Sequence, residues 1–130
     1  MVVASRGQKH SSTSARVELA LTNNGTWSDA FQFGDPDDLT WTLTDMLFEM
    51  DVQRNPYDTN PLLTMTTGNG RIIVDDVVQR VIHFNVPAVD IQANLTPGTY
   101  VYDLVMIDAA GVRTPLMHGP VTVTQGVTYT

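Results

Sequence analysis

The chain reads as an all-β protein, a sandwich or barrel of antiparallel strands, and three observations predict it. Apolar residues alternate with a period of two through most of the sequence rather than recurring every three or four positions. Gly, Pro, Asn and Asp punctuate those runs at intervals of roughly 8 to 12 residues, the spacing of a meandering sheet rather than of alternating strand and helix units. The composition, 42% hydrophobic and 16% charged, argues against disorder over most of the length. At 130 residues the chain fits one domain, long enough to bury roughly two thirds of the surface that its unfolded form exposes.

Residues 1–15 stand apart from this pattern. They are rich in Ser, Thr and Gly, carry Arg6 and Lys9, and show no periodicity, so they are expected to form a flexible basic arm that takes up structure on a partner. The β domain is expected over 16–130. Val17, Leu19 and Leu21 share one face of a first strand, with Glu18, Ala20 and Thr22 on the other. Asn24-Gly25 suits a tight turn because both residues tolerate positive φ, and Trp27, Asp29, Phe31 and Phe33 then alternate, which predicts a hairpin from 16 to 33. Gly34 and Pro36 interrupt pairing, and the acids of "GDPDDLT" favour a turn. In "WTLTDMLFEMDVQR" propensity allows a helix, but Phe48, Met50 and Val52 alternate against Glu49, Asp51 and Gln53, which favours a strand over about 47 to 54.

The same punctuation continues to the end of the chain. "NPYDTNP" is a loop, "LLTMTT" a short strand, "GNG" a turn, and "RIIV" and "RVIHFNV" are strands separated by an acidic turn at Asp75-Asp76. "PAVDIQANL" is the one helical turn expected, with Pro87 at a permitted first position. Pro97-Gly98 leads into "TYVYDLVMID", the longest expected strand; "AAG" reverses it, "VRTPLMHG" returns broken by Pro115, and "VTVT" closes a three-stranded meander. In the long strand Tyr100, Tyr102, Leu104 and Met106 share one face and Val101, Asp103, Val105 and Ile107 the other. Both faces are largely apolar, which predicts a central strand covered by its own core on one side and by another chain on the other.

Composition also narrows the chemistry. With no cysteine, the chain has no disulfide, thiolate metal site or cysteine nucleophile. No apolar run near the start is long enough for a signal peptide or a membrane span, so the protein is expected to stay in a cytoplasm or to be assembled there into something larger. The net charge of −7 is unevenly spread: Arg6, Lys9 and Arg16 precede the first acid, and all fourteen acids lie from Glu18 onward. An acidic body with a single lysine disfavours nucleic-acid binding, because duplex affinity rests on neutralising phosphates.

Candidate catalytic groups do not converge. Asp103 and Asp108 are five apart on a strand and face opposite ways, so they cannot act as a facing acid pair, and Asp103 is expected to be buried against Arg113 or a tyrosine hydroxyl. The acids of "DPDD" at 35–38 offer the oxygen ligands that calcium takes, without the spacing or glycine of an EF-hand loop, and read as a solvated turn. His10, His83 and His118 lack any metal-binding spacing; His83 and His118 read as surface or hydrogen-bonded histidines. Four of the five serines lie in the arm, and no nucleophile elbow or phosphate-binding loop occurs. Six methionines, two tryptophans and scarce lysine suit a weakly charged, adaptable binding surface as well as a core.

The run "LTPGTYVYDLVMIDAAGVRTPLMHGPVTVTQGVT", preceded by "LFEMDVQR", "LLTMTTGNGRIIVDD" and "VPAVDIQANL", resembles the small β-sandwich proteins and domains of tailed bacteriophages. It is similar to the N-terminal domains of baseplate upper proteins and of tail-fibre attachment proteins. The likeness covers roughly residues 30 to 128 and includes the element at 97–104, Gly111, Gly119 and the closing VTV at 121–123; the arm and the 16–33 segment lie outside it. The resemblance implies an immunoglobulin-like antiparallel β-sandwich in a virion structural protein that joins one assembled ring or fibre to another. Such a protein is no enzyme and needs no cofactor. It is found in the virion and, during assembly, in the host cytoplasm, in several symmetric copies.

The expected partners are other virion proteins, namely tail, baseplate, fibre or capsid subunits, with no nucleic acid and no membrane. Arg6, Lys9 and Arg16 are the candidates for acidic partner surfaces. Tyr100, Tyr102 and Met106 are candidates for a neighbour's contact, on condition that their face is not core. Capsid decoration or head-to-tail joining is the alternative place for the same fold. From another class, a calcium-dependent carbohydrate-binding module is motivated by the DPDD turn with Trp27 and Trp41.

Overall fold

The computed structural model describes residues 2–4, as backbone, and 14–128. Ten strands and one helix follow in order: β1 (Val2–Ala4), β2 (Ala15–Arg16), β3 (Leu19–Thr22), β4 (Ala30–Phe33), β5 (Leu47–Gln53), β6 (Leu63–Thr66), β7 (Ile72–Asp76), β8 (Val81–Phe84), α1 (Ala88–Asn94), β9 (Gly98–Ile107) and β10 (Arg113–Thr124). They form two sheets. One runs β1-β4-β8-β7; the other runs β10-β9-β5-β6, with β2 and β3 both pairing the far edge of β10. The all-β expectation holds, as a largely antiparallel pair of sheets. Parallel pairing enters where the first three strands add on: β1 runs parallel to β4, and β2 and β3 run parallel to β10.

The core follows from the alternation. Phe31, Phe33, Ile82 and Phe84 of one sheet meet Phe48, Met50, Val52, Leu104 and Val121 of the other, all of them essentially inaccessible. Phe33 stacks on Phe48 across the gap, with centroids 6.2 Å apart and rings 15° from parallel. Within the first sheet Phe84 is met edge-on by Trp27 and at a tilt by Phe31, both at 5.0 Å. Burying rings of this size is worth roughly 1.5–3 kcal/mol for each side chain, which is why so few charges are needed to hold the sandwich.

The strand expected over about 47 to 54 forms as β5, and the helical turn after Pro87 forms as α1. Other expectations need correction. The hairpin over 16–33 does not form: β3 pairs β10 in the six-stranded sheet, β4 pairs β8 in the other, and the segment between them crosses from sheet to sheet. Asn23 anchors the departure, since its Oδ1 accepts the Gly126 N–H at 2.9 Å and its own N–H donates to Thr124 O at 3.0 Å. Trp27 then bridges to Val86. Alternation fixes which side chains go inward but not which strand they pair with.

Pro115 does not break its strand either. β10 runs through it as the longest strand of the fold, with a bulge between Pro115 and Met117 that absorbs the missing N–H. The expected three-stranded meander is therefore a two-stranded hairpin. The acidic turn after "RIIV" falls later than expected: Asp75 and Asp76 end β7, and Asp76 Oδ1 accepts the N–H groups of Val78 and Gln79 to close the turn. Of the arm expected to lack structure, Val2–Ala4 and Ala15 lie in strands, and residues 5–13 lie outside the described residues.

Candidate functional site

The strand order brings one polar row across the outer face of the six-stranded sheet. Arg16 on β2 sits beside His118 on β10, His118 beside Asp103 on β9, Asp103 beside Asp51 on β5, and Asp51 beside Thr64 on β6. These residues occupy the outward positions of strands whose inward positions fill the core. Above and below the row β9 turns Val101, Val105 and Ile107 outward, each partly buried, with Glu49 beside Val105 and Arg113 beside Ile107. Next to the row opens a cleft of about 490 Å3, walled by Val101, Pro120 and Pro56 and edged by Arg16, His118 and Asp103.

Most polar groups of this face already have partners. Arg16 Nη1 donates to Glu18 Oε1 at 3.1 Å, and both are well exposed. His118 Nδ1 lies 2.8 Å from Ser14 Oγ, and Thr64 Oγ1 donates to Asp51 Oδ1 at 2.9 Å. Arg113 Nη2 pairs with Glu49 Oε2 at 2.9 Å. Among the described residues no side-chain donor reaches the Asp103 carboxylate. Partial burial raises its pKa, helped by the charge of Asp51 across the strand pair and opposed by Arg113, its own backbone amide and His118. The expected burial of Asp103 against Arg113 or a tyrosine does not occur, because the odd-numbered positions of β9 face out.

The tyrosines belong to the other side of β9. Tyr100, Tyr102 and Met106 are 3%, 4% and 7% exposed and fill the core, so the condition for their meeting a neighbour is not met. Tyr100 donates its hydroxyl to Thr96 O at 2.5 Å, tying the loop after α1 to the start of β9. Tyr102 reaches across Gly119, its register partner, to donate to Val17 O at 2.7 Å. A Cβ at Gly119 would stand 2.6 Å from that same carbonyl oxygen, so only glycine lets β2 and β3 close against β10 at this point. Burial pushes the Tyr102 phenol well above its ordinary range.

The DPDD turn has a different organiser, which sequence reasoning missed. Arg80, fully buried, donates Nε to Phe33 O at 2.8 Å, Nη1 to the carbonyls of Asp38, Trp41 and Val78 at 2.6, 3.0 and 2.9 Å, and Nη2 to Asp35 O at 2.5 Å. Its guanidinium carbon lies 5.1 Å from the centre of the Trp41 ring. The carboxylates of Asp35 and Asp38 close their own turns, accepting from Asp37 N and from Thr40 at 2.9 Å. The loop carbonyls thus face a cation that belongs to the fold, and Trp27 is buried with Trp41 packed on Arg80; neither ring forms an exposed platform. No motif marks Arg80 in the sequence; the signal is a lone arginine at the end of a turn, where φ is +60°.

His83 faces outward as expected and holds Asp75 through Nδ1 at 2.7 Å. Asp108 Oδ1 accepts from Ala110 N and Val112 N and so closes the β9–β10 turn. Arg6, Lys9 and His10 lie outside the described residues.

The class that these features define is a two-sheet β-sandwich with a polar row and a cleft on one outer face. Among the described residues no group of three or more His, Asp or Glu side chains is placed to hold a metal ion, and no helix is long and apolar enough to cross a membrane. No protein-family model matches the chain, and no curated protein matches it. Among solved structures it is similar to CopC from Methylosinus trichosporium OB3b, with 10% identity, 87% of this chain and 89% of that chain covered, and a TM-score of 0.45.

Proposed function

We propose that the protein is a non-enzymatic structural component of a tailed-phage virion, an adaptor in the tail, baseplate or fibre-attachment region that acts through the outer face of its six-stranded sheet. The observation that carries the reading is a set of apolar side chains on that face, beside its polar row. Val101, Val105 and Ile107 run along the central strand β9, and Leu47, the register partner of Ile107, is 55% exposed, with Val112 57% exposed at the adjoining turn. An apolar strip in the middle of a sheet is the surface that a neighbouring subunit covers. The phage-like elements at 97–104 and 121–123 lie on the two strands β9 and β10 that build this face.

The sandwich is of immunoglobulin-like type in this reading. The order β4-β8-β7 facing β5-β9-β10 corresponds to B-E-D facing C-F-G, and the Tyr100 hydroxyl bound to the backbone four residues upstream has the position of a tyrosine corner. Several copies around a symmetric ring would each present the same face to the next component.

The test is co-sedimentation of the purified protein with assembled particles, alongside Val105→Asp and Ile107→Asp. Both positions face out of the sheet and are only partly buried, so the variants are expected to fold and yet to be lost from particles. Incorporation of both at the wild-type level, or failure of the wild type to enter particles, overturns the proposal.

A further inference from the structure

We infer that the cleft beside the polar row is a specific binding site for a basic side chain of a partner protein, an arginine in the first instance. The inference rests on the assembly reading for the existence of a partner and adds what that partner must carry. The cleft, at about 490 Å3, falls within the size of small-ligand sites, and its character matches theirs: mostly apolar walls with a few convergent polar groups. Val101, Pro120 and Pro56 supply the apolar wall along which a methylene stem lies, while the charged end stays polar.

The polar edge decides the sign of the occupant. The two arginines on the strands of this face have acidic partners, Arg16 with Glu18 and Arg113 with Glu49, while His118 turns Nδ1 to Ser14. Asp103 has no such side-chain donor among the described residues, and its neighbour across β5 is a second carboxylate, Asp51, held by a threonine rather than by a cation. Like charges directly opposite in a sheet are unfavourable, so a guanidinium arriving at Asp103 relieves a repulsion as well as forming charge-assisted hydrogen bonds. Geometry thus places a carboxylate that no side-chain donor among the described residues binds at the mouth of a mostly apolar cleft.

Protonation is linked to occupancy. The groups that face Asp103 are Asp51 from β5, His118 and Arg113 from β10, and, one strand further, Arg16 with Glu18. Burial and then Asp51 raise the pKa of the Asp103 carboxyl, so on acidification it is discharged before an unshifted aspartate and the basic side chain is released.

The experiment is an amide chemical-shift titration of the full chain with N-acetyl-arginine methylamide, with the neutral isostere N-acetyl-citrulline methylamide as control. The expected result is a saturable shift at Val101, Asp103, His118 and Gly119 with the arginine probe alone. Asp103→Asn should weaken it by about tenfold or more, whereas Asp75→Asn, on β7 of the other sheet, leaves it unchanged. Shifts of equal size with citrulline, equal weakening by the two substitutions, or no saturable shift overturns the inference. Co-sedimentation of the wild type, run in parallel, separates the two proposals: a wild type that enters particles but does not take the arginine probe sinks the cleft alone.

Discussion

Arg80 is the residue on which most of the loop structure converges. Five backbone carbonyls accept from one buried guanidinium, and no other side chain offers five donors in a fixed plane. Arg80→Met keeps the apolar stem and strands those carbonyls away from water, so it is expected to cost about 3–5 kcal/mol, read from the midpoint of urea unfolding. Arg80→Lys should recover only a small part of that loss, because an ammonium cannot reach carbonyls on both sides of the loop. Asp103 behaves in the opposite sense. Its folded pKa lies above the ordinary value of 3.8, so between those two values the native state binds more protons than the unfolded one, and stability falls as pH rises through that window. Asp103→Asn is therefore expected to melt higher than the wild type at pH 7 and to lose its advantage below the ordinary carboxylate value; a variant less stable at pH 7 would contradict this account.

At the level of strands and turns, the single positions that matter are those where backbones approach. Gly119 lets β10 lie against Val17, and the Tyr102 hydroxyl fills the space above it. Gly119→Ala is expected to destabilise by about 1–3 kcal/mol and to speed amide exchange at Val17, whose N–H donates to His118 O, more than at the buried strands β5 and β9. Uniform acceleration of exchange would mean that β2 is not a separable edge. The same scale explains what could be read in advance. β5, β6, β8 and β9 were legible because Phe48-Met50-Val52, Leu63-Met65, Ile82-Phe84 and Tyr100 to Met106 each carry clean two-residue alternation. Pairing was not legible. Asn24-Gly25 is chemically a hairpin turn, yet Asn23 and Trp27 direct the chain to the opposite sheet, and such long-range hydrogen bonds leave no local trace. The polar row across Arg16, His118, Asp103 and Asp51 was hidden for the same reason: each member was visible, but their adjacency depends on register across four strands.

For the molecule as a whole, the two sheets share one continuous core, with Phe33 of one stacked on Phe48 of the other. The sandwich should therefore unfold as a unit. Tryptophan fluorescence, reporting Trp27 and Trp41 around the four-stranded sheet, and far-ultraviolet circular dichroism, reporting both sheets, are expected to give one coincident urea transition; two separated transitions would mean that the sheets are independently stable.

β10 holds Leu19–Thr22 on one edge and Gly98–Ile107 on the other, so this early strand of the six-stranded sheet has no seat until the last has been made. A ribosome delivering this chain releases Leu19–Thr22 long before Val121–Thr124. During that interval the early segment waits, apolar face and all, for a partner still inside the exit tunnel. Closure is then a late, non-local event, of the kind that makes folding slow and leaves nascent chains open to capture by chaperones or by one another.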